Sequence, residues 1–159
     1  MPEPRPEFMF RFELDLAPAI EIGDVPIGHR IIGPIAGGSF EGPGLSDGPA
    51  LKGEVVPGGG DWLFARADGV LDLDVRTTLR TDDGALIYMI YRGLRHGPAD
   101  VMAKLNAGQP VDPSLIYFRT TPYFETAKDG PYAWLNKSCF VSLGRREPTG
   151  PIYQVFEVL

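Results

Sequence analysis

Between Gly33 and Trp62 the chain reads GPIAGGSFEGPGLSDGPALKGEVVPGGGDW. Glycine and proline interrupt the apolar and β-branched residues every few positions, and no helix survives that: proline removes a donor and glycine adds backbone entropy. Extended chain tolerates it, because a glycine lets a strand bend at a bulge or lets a second backbone come close, as a small sheet needs when it curls into a barrel. The 159 residues suit a single domain, 1–159, at the usual domain size. Twenty glycines and sixteen prolines are scattered among aromatics and aliphatics, which argues for many turns rather than disorder. The expected fold class is all-β, a small closed antiparallel β-barrel of about eight to nine strands with one short helix, with a sandwich as the alternative.

Period-two alternation supplies the strands. Residues 8–17 alternate Phe8, Phe10, Phe12, Leu14 and Leu16 against Met9, Arg11, Glu13 and Asp15. A turn is expected at 20–24, then strands at 29–40 and 50–56 and a short aromatic-led segment at 61–67. Asp68-Gly69 suits a tight hairpin into a strand at 70–81, and Asp82-Asp83-Gly84 turns the chain into 85–94, which lacks clean alternation. Residues 98–108 read as a helix opened by Pro98 and closed by Gly108. Strands at 115–126, 132–146 and 151–159 follow. Prolines at positions 2, 4 and 6 suggest a flexible arm over 1–7.

A formal net charge of −6 with scattered Lys and Arg argues against nucleic acid, which needs clustered cations. One cysteine, Cys139, excludes an internal disulfide and is expected to pack as a small buried residue. No apolar run reaches the roughly 18 residues of a spanning helix and no secretory pattern opens the chain, so no membrane association and a cytoplasmic location are the expectations. His29 and His96 lack partners at ligand spacing, so neither a metal nor a cofactor is expected. The glycine runs at 37–44 and 57–60 lack the Lys-Ser or Lys-Thr of a phosphate loop.

Several ordered motifs then identify a relationship: Gly28-His29-Arg30, Gly37-Gly38-Ser39-Phe40-Glu41-Gly42-Pro43, Pro57-Gly58-Gly59-Gly60-Asp61-Trp62, Leu73-Asp74-Val75-Arg76, Asp82-Asp83-Gly84-Ala85, Pro122-Tyr123-Phe124-Glu125-Thr126 and Tyr132-Ala133-Trp134-Leu135-Asn136. Each is weak alone, but together they span nearly the whole chain in order. The sequence resembles the family catalogued as domain of unknown function 3237, also called uncharacterised protein family 0311. That resemblance implies a small, mostly β barrel and no established activity.

The candidate catalytic residues are Asp61 and Arg76. A carboxyl beside the Trp62 indole in a barrel mouth is partly desolvated, which raises its pKa toward a value useful for proton transfer. The competing reading, of equal weight, is that Asp61 caps a turn after three glycines. Arg76 shares a face with Asp72 and Asp74, either reaching the lumen to pair with Asp61 or standing in a solvated row. Candidate ligand-binding residues are Trp62, Tyr88, Arg119, Phe124, Glu125, Tyr132, Trp134 and Asn136, rings and polar tips of the mixture that ligand sites use. On an alternating strand, Tyr132, Trp134 and Asn136 would share one face. Half of the rings are expected simply to fill a narrow interior. Two functions follow: a cofactor-independent acid–base enzyme acting on a small hydrophobic or carbonyl-containing substrate, or a non-catalytic barrel that binds such a molecule or self-associates. A homodimer through the 29–40 edge or exposed aromatics is compatible with either.

Overall fold

The computed structural model describes residues 3–44 and 48–159. Ten strands form one sheet: β1 (Pro6–Leu16), β2 (Ile20–Val25), β3 (Gly28–Gly42), β4 (Leu51–Asp61), β5 (Phe64–Ala65), β6 (Leu71–Thr81), β7 (Leu86–His96), β8 (Tyr117–Thr126), β9 (Phe140–Arg146) and β10 (Pro151–Val158). The order β1-β10-β9-β8-β7-β6-β4-β3 closes on itself because β1 also pairs with β3, giving an eight-strand antiparallel barrel. β2 extends the sheet beyond β3, and β5 bridges β3 and β6. One helix, α1 (Ala99–Asn106), lies in the connection from β7 to β8.

The glycine runs do the bending. Register shifts fall between Pro34 and Ser39 in the β3–β4 pairing and between Val56 and Gly60 in the β4–β6 pairing. Closure requires Gly38 in particular, since a Cβ there would sit 2.0 Å from the Glu13 carbonyl oxygen. A bulge in β1 between Phe8 and Phe10 resets the expected alternation, so that Met9 and Phe10 are both buried and Phe8 faces outward against Phe156.

Aromatic rings fill the interior. Phe10 meets Phe40 and Phe124 at one end, where Phe124 also packs edge-on against Phe140. Midway, Phe12 stacks on Tyr153 at 4.5 Å, with Tyr91 and Phe118 edge-on to Tyr153 at 5.2 and 5.3 Å. An eight-strand barrel has just this much room.

Several expectations need correction. The turn expected at 20–24 is strand β2. The segment 132–139 is not strand: Ala133–Lys137 forms a 3₁₀ helix and β9 begins only at Phe140. Asn136 takes up the strand-end hydrogen bonds here, accepting from Thr126 N at 2.8 Å and donating to Thr126 O at 3.1 Å. Cys139 is exposed rather than buried. The arm 1–7 is paired from Arg5 onward, through backbone hydrogen bonds to Leu159 and the β1–β10 ladder. Met1 and Pro2 of that arm, and Leu45, Ser46 and Asp47 of the expected β3–β4 turn, lie outside the described residues.

Candidate functional site

Asp61 ends β4. It lies opposite Gly33 on β3 and Val75 on β6, and Val75 is buried, so the Asp61 side chain points into the barrel. Its Oδ1 accepts a hydrogen bond from Asp74 N at 3.2 Å. Burial pushes its carboxyl up from 3.8 to about 6, against the opposing pull of that hydrogen bond and of the Arg95 charge. Tyr91 and Tyr153 share the interior at 1% exposure each, and burial raises both phenols further above their ordinary range. Although the two rings meet edge-on, the Tyr91 hydroxyl has no hydrogen-bond partner among the described residues. Arg95 points inward along the face of Ile87, Met89 and Tyr91, its guanidinium lies over the Phe118 ring at 5.5 Å, and its Nε is buried and also unpartnered. Chemically the mouth thus offers a carboxyl poised near neutrality and a guanidinium able to hold negative charge, with the Tyr91 and Tyr153 phenols beside them.

Arg76 is not part of this group. It lies opposite Gly60, one position out of phase with Asp61, so the sheet separates the two side chains. On the outer wall Arg76 sits 3.1 Å from Asp74 and 5.4 Å from the Trp62 ring centre. The expected Asp61–Arg76 pair is therefore corrected to Asp61 inside and Arg76 outside, with Arg95 as the cation whose field Asp61 feels.

The other candidates disperse. Trp62 and Arg119 line a trough of about 870 Å³ across the outer faces of β6 to β9, with Phe64, Tyr117, Arg30 and Arg92. Tyr88 faces a separate shallow depression of about 230 Å³ beside Arg76, and exposed Glu125 is its cross-strand neighbour on β8. Phe124 is core. Tyr132, Trp134 and Asn136 plug the barrel end remote from Asp61, where the Tyr132 hydroxyl donates to Ala50 O and Asp83 Oδ2, both at 3.4 Å. The outer trough and the perturbed carboxyl thus occupy opposite faces of one wall. Asp74 joins them, its backbone holding Asp61 while its side chain takes Arg76 and Arg92.

Sequence reading did not single out Arg95 or Tyr153. The signal was present in β7: Ile87, Met89, Tyr91, Gly93 and Arg95 alternate, so a cation closes an otherwise apolar face.

The profile of the family described as "Protein of unknown function (DUF3237)" matches residues 4–158. A UPF0311 protein of Rhodopseudomonas palustris is 35% identical over 153 residues, covering 96% of this chain and 95% of its own. The crystal structure of a conserved protein of unknown function from the same species superposes with a TM-score of 0.89 at 34% identity, covering both chains fully. At 20% identity an enzyme from Penicillium herquei shares the fold, with a TM-score of 0.70 over 100% of this chain and 98% of that one. With matching sequence over nearly its whole length and the same barrel, this chain belongs to the DUF3237 (UPF0311) family.

Proposed function

We propose that this chain binds a small carbonyl-containing molecule at the barrel mouth and moves a proton on it, with Asp61 as acid and base. The observation that carries this reading is the Asp61 carboxyl, held near 6 by burial. At neutral pH such a group exists in both forms, the condition under which proton transfer is efficient. The Arg95 Nε is a buried donor without an acceptor among the described residues, the kind of group that stabilises an enolate oxygen. That the Penicillium herquei protein is described as an enzyme supports the reading only as a precedent for the fold.

The test is deuterium exchange at carbon next to a carbonyl, followed by NMR in D₂O over a panel of aryl ketones and β-diketones. The protein accelerates exchange of at least one, and Asp61→Asn loses about 10²- to 10⁴-fold of that rate. No acceleration across the panel, together with an Asp61 carboxyl that titrates near 4, overturns the reading.

The second reading is a non-catalytic binder using the outer trough, whose volume of about 870 Å³ falls in the ligand-site range. In that case Trp62→Leu and Arg119→Ala abolish binding of a ligand found by screening, and Asp61→Asn leaves it unchanged.

A further inference from the structure

Two arginines line one small gap, Arg95 with its Nε buried and Arg146 exposed, and neither makes an ion pair among the described residues. Arg95 points inward near the end of β7, and Arg146, the last residue of β9, follows the inward alternation of Ser142 and Gly144. Six other arginines of the chain are ion-paired, but neither of these makes an ion pair or donates a side-chain hydrogen bond among the described residues. Each is close enough to feel the other's charge, and both act on the Tyr153 phenol. Together they line a gap of about 20 Å³ with Phe118 and Gly144, closed from above by Leu105 of α1 and by Val111. Gly144 leaves that space open to the Phe118 ring, since a Cβ there would come within 2.8 Å of it.

A guanidinium held largely out of water, as Arg95 is, is costly unless an anion joins it, and the neighbouring Arg146 charge adds to that cost. Asp61 acts on the Arg95 guanidinium through its charge but makes no ion pair with it among the described residues, so the compensation it gives is partial. Planar guanidinium forks are the groups that grip a carboxylate. The walls of the gap are the Phe118 ring with Leu105, Val111, Pro113 and Ile116, which suit a flat apolar body.

We propose that Arg95 and Arg146 bind the carboxylate of a small aromatic or otherwise apolar acid. This rests on the reading of the mouth as the ligand site and names the class of molecule that enters it. A gap of about 20 Å³ holds roughly one water molecule, so a carboxylate displaces the strap of residues 97–116 that carries α1. The strap has a glycine at each side of its helix, Gly97 and Gly108, the latter at φ +70.

The experiment is an NMR titration of the full chain with benzoate and, separately, with its uncharged counterpart benzamide, following the arginine Nε–H signals and the backbone amides. Benzoate moves the Arg95 Nε–H signal and the Leu105 and Val111 amides in one saturable process, and benzamide binds at least about tenfold more weakly. Arg146→Met weakens benzoate about tenfold, equivalent to about 1.4 kcal/mol. Arg146 is exposed, so that variant tests the site even if Arg95→Met does not fold. Equal affinity for the two probes, an unchanged affinity in Arg146→Met, or shifts confined to the outer trough each overturn the proposal. Asp61→Asn separates the two claims. Benzoate binding retained in that variant, with no carbonyl exchange in the wild type, keeps the anion site and removes the acid–base reading. Exchange that depends on Asp61, with no preference for benzoate, does the reverse.

Discussion

Replacing Asp61 with asparagine stabilises the folded chain above pH 6, and by an amount that grows with pH in a defined window. In the native barrel the carboxyl is moved from 3.8 to about 6, chiefly by burial. At about 1.4 kcal/mol per pH unit that displacement corresponds to a ceiling of about 3 kcal/mol. Between 3.8 and about 6 the native state holds a proton that the unfolded state has released, so stability falls as pH rises through this window. Below it the cost of the buried charge is absent, and above it the cost is complete. Asparagine keeps an oxygen to accept the Asp74 N–H and never ionises. Exposed carboxyls such as Asp68 and Asp112, held below their ordinary range by hydrogen bonds, shift stability in the opposite direction, but equally in both proteins. Urea denaturation of wild type and variant at pH 4.5, 6 and 7.5 therefore isolates Asp61. The variant's advantage increases by up to about 2 kcal/mol across that range, the rest having developed below pH 4.5, or about 4–8 °C in Tm for a domain of this size. A difference that is flat with pH, or that favours the wild type more as pH rises, refutes the burial argument.

Other positions divide by the face they occupy. Arg76→Ala leaves the Asp61 titration unmoved, read from its side-chain carbon shift, and alters stability by less than about 0.5 kcal/mol, because its ion pair and its contact with Trp62 lie on the wet side of the wall. Asn136→Ala unpins the end of β8 and destabilises by about 1–3 kcal/mol in urea while leaving the mouth's NMR signals in place. Gly144→Ala drives a methyl into the Phe118 ring, costs about 1–3 kcal/mol in a thermal melt and shifts the Arg95 Nε–H signal.

Much of the architecture could be read from the chain because alternation and turn chemistry are local. The strand from 71 to 81 buries Leu73, Val75, Thr77, Leu79 and Thr81 as its period predicts, and the helix at 98–108 differs from α1 only at its ends. What escaped reading depended on contacts between distant segments. Residues 132–139 alternate well enough for a strand, but the backbone of Thr126 already finds its partner in the Asn136 amide, so a 3₁₀ turn plugs the barrel instead. The β1 bulge likewise leaves no local mark, since Phe8 and Phe10 look equivalent until β10 sets their register.

The Asp61–Arg76 pair failed for the same reason, and the failure is instructive about where chemistry sits in a barrel. Two residues on neighbouring strands share a side only if the pairing register makes them so, and a single residue of slippage moves one of them to the opposite face. The register shift between Val56 and Gly60 is two residues wide, from Val56 opposite Thr78 to Gly60 opposite Arg76, so it leaves the sides unchanged and moves only the level at which Asp61 sits. Asp61 faces inward beside Val75 and Arg76 outward beside Gly60, and the cationic charge that Asp61 feels most comes from Arg95 of β7. The glycines at 58–60 are therefore more than punctuation. By taking up the two extra residues of β4 they bring Asp61 to the level of Val75 inside the wall, while Trp62 beside it stands on the outer trough.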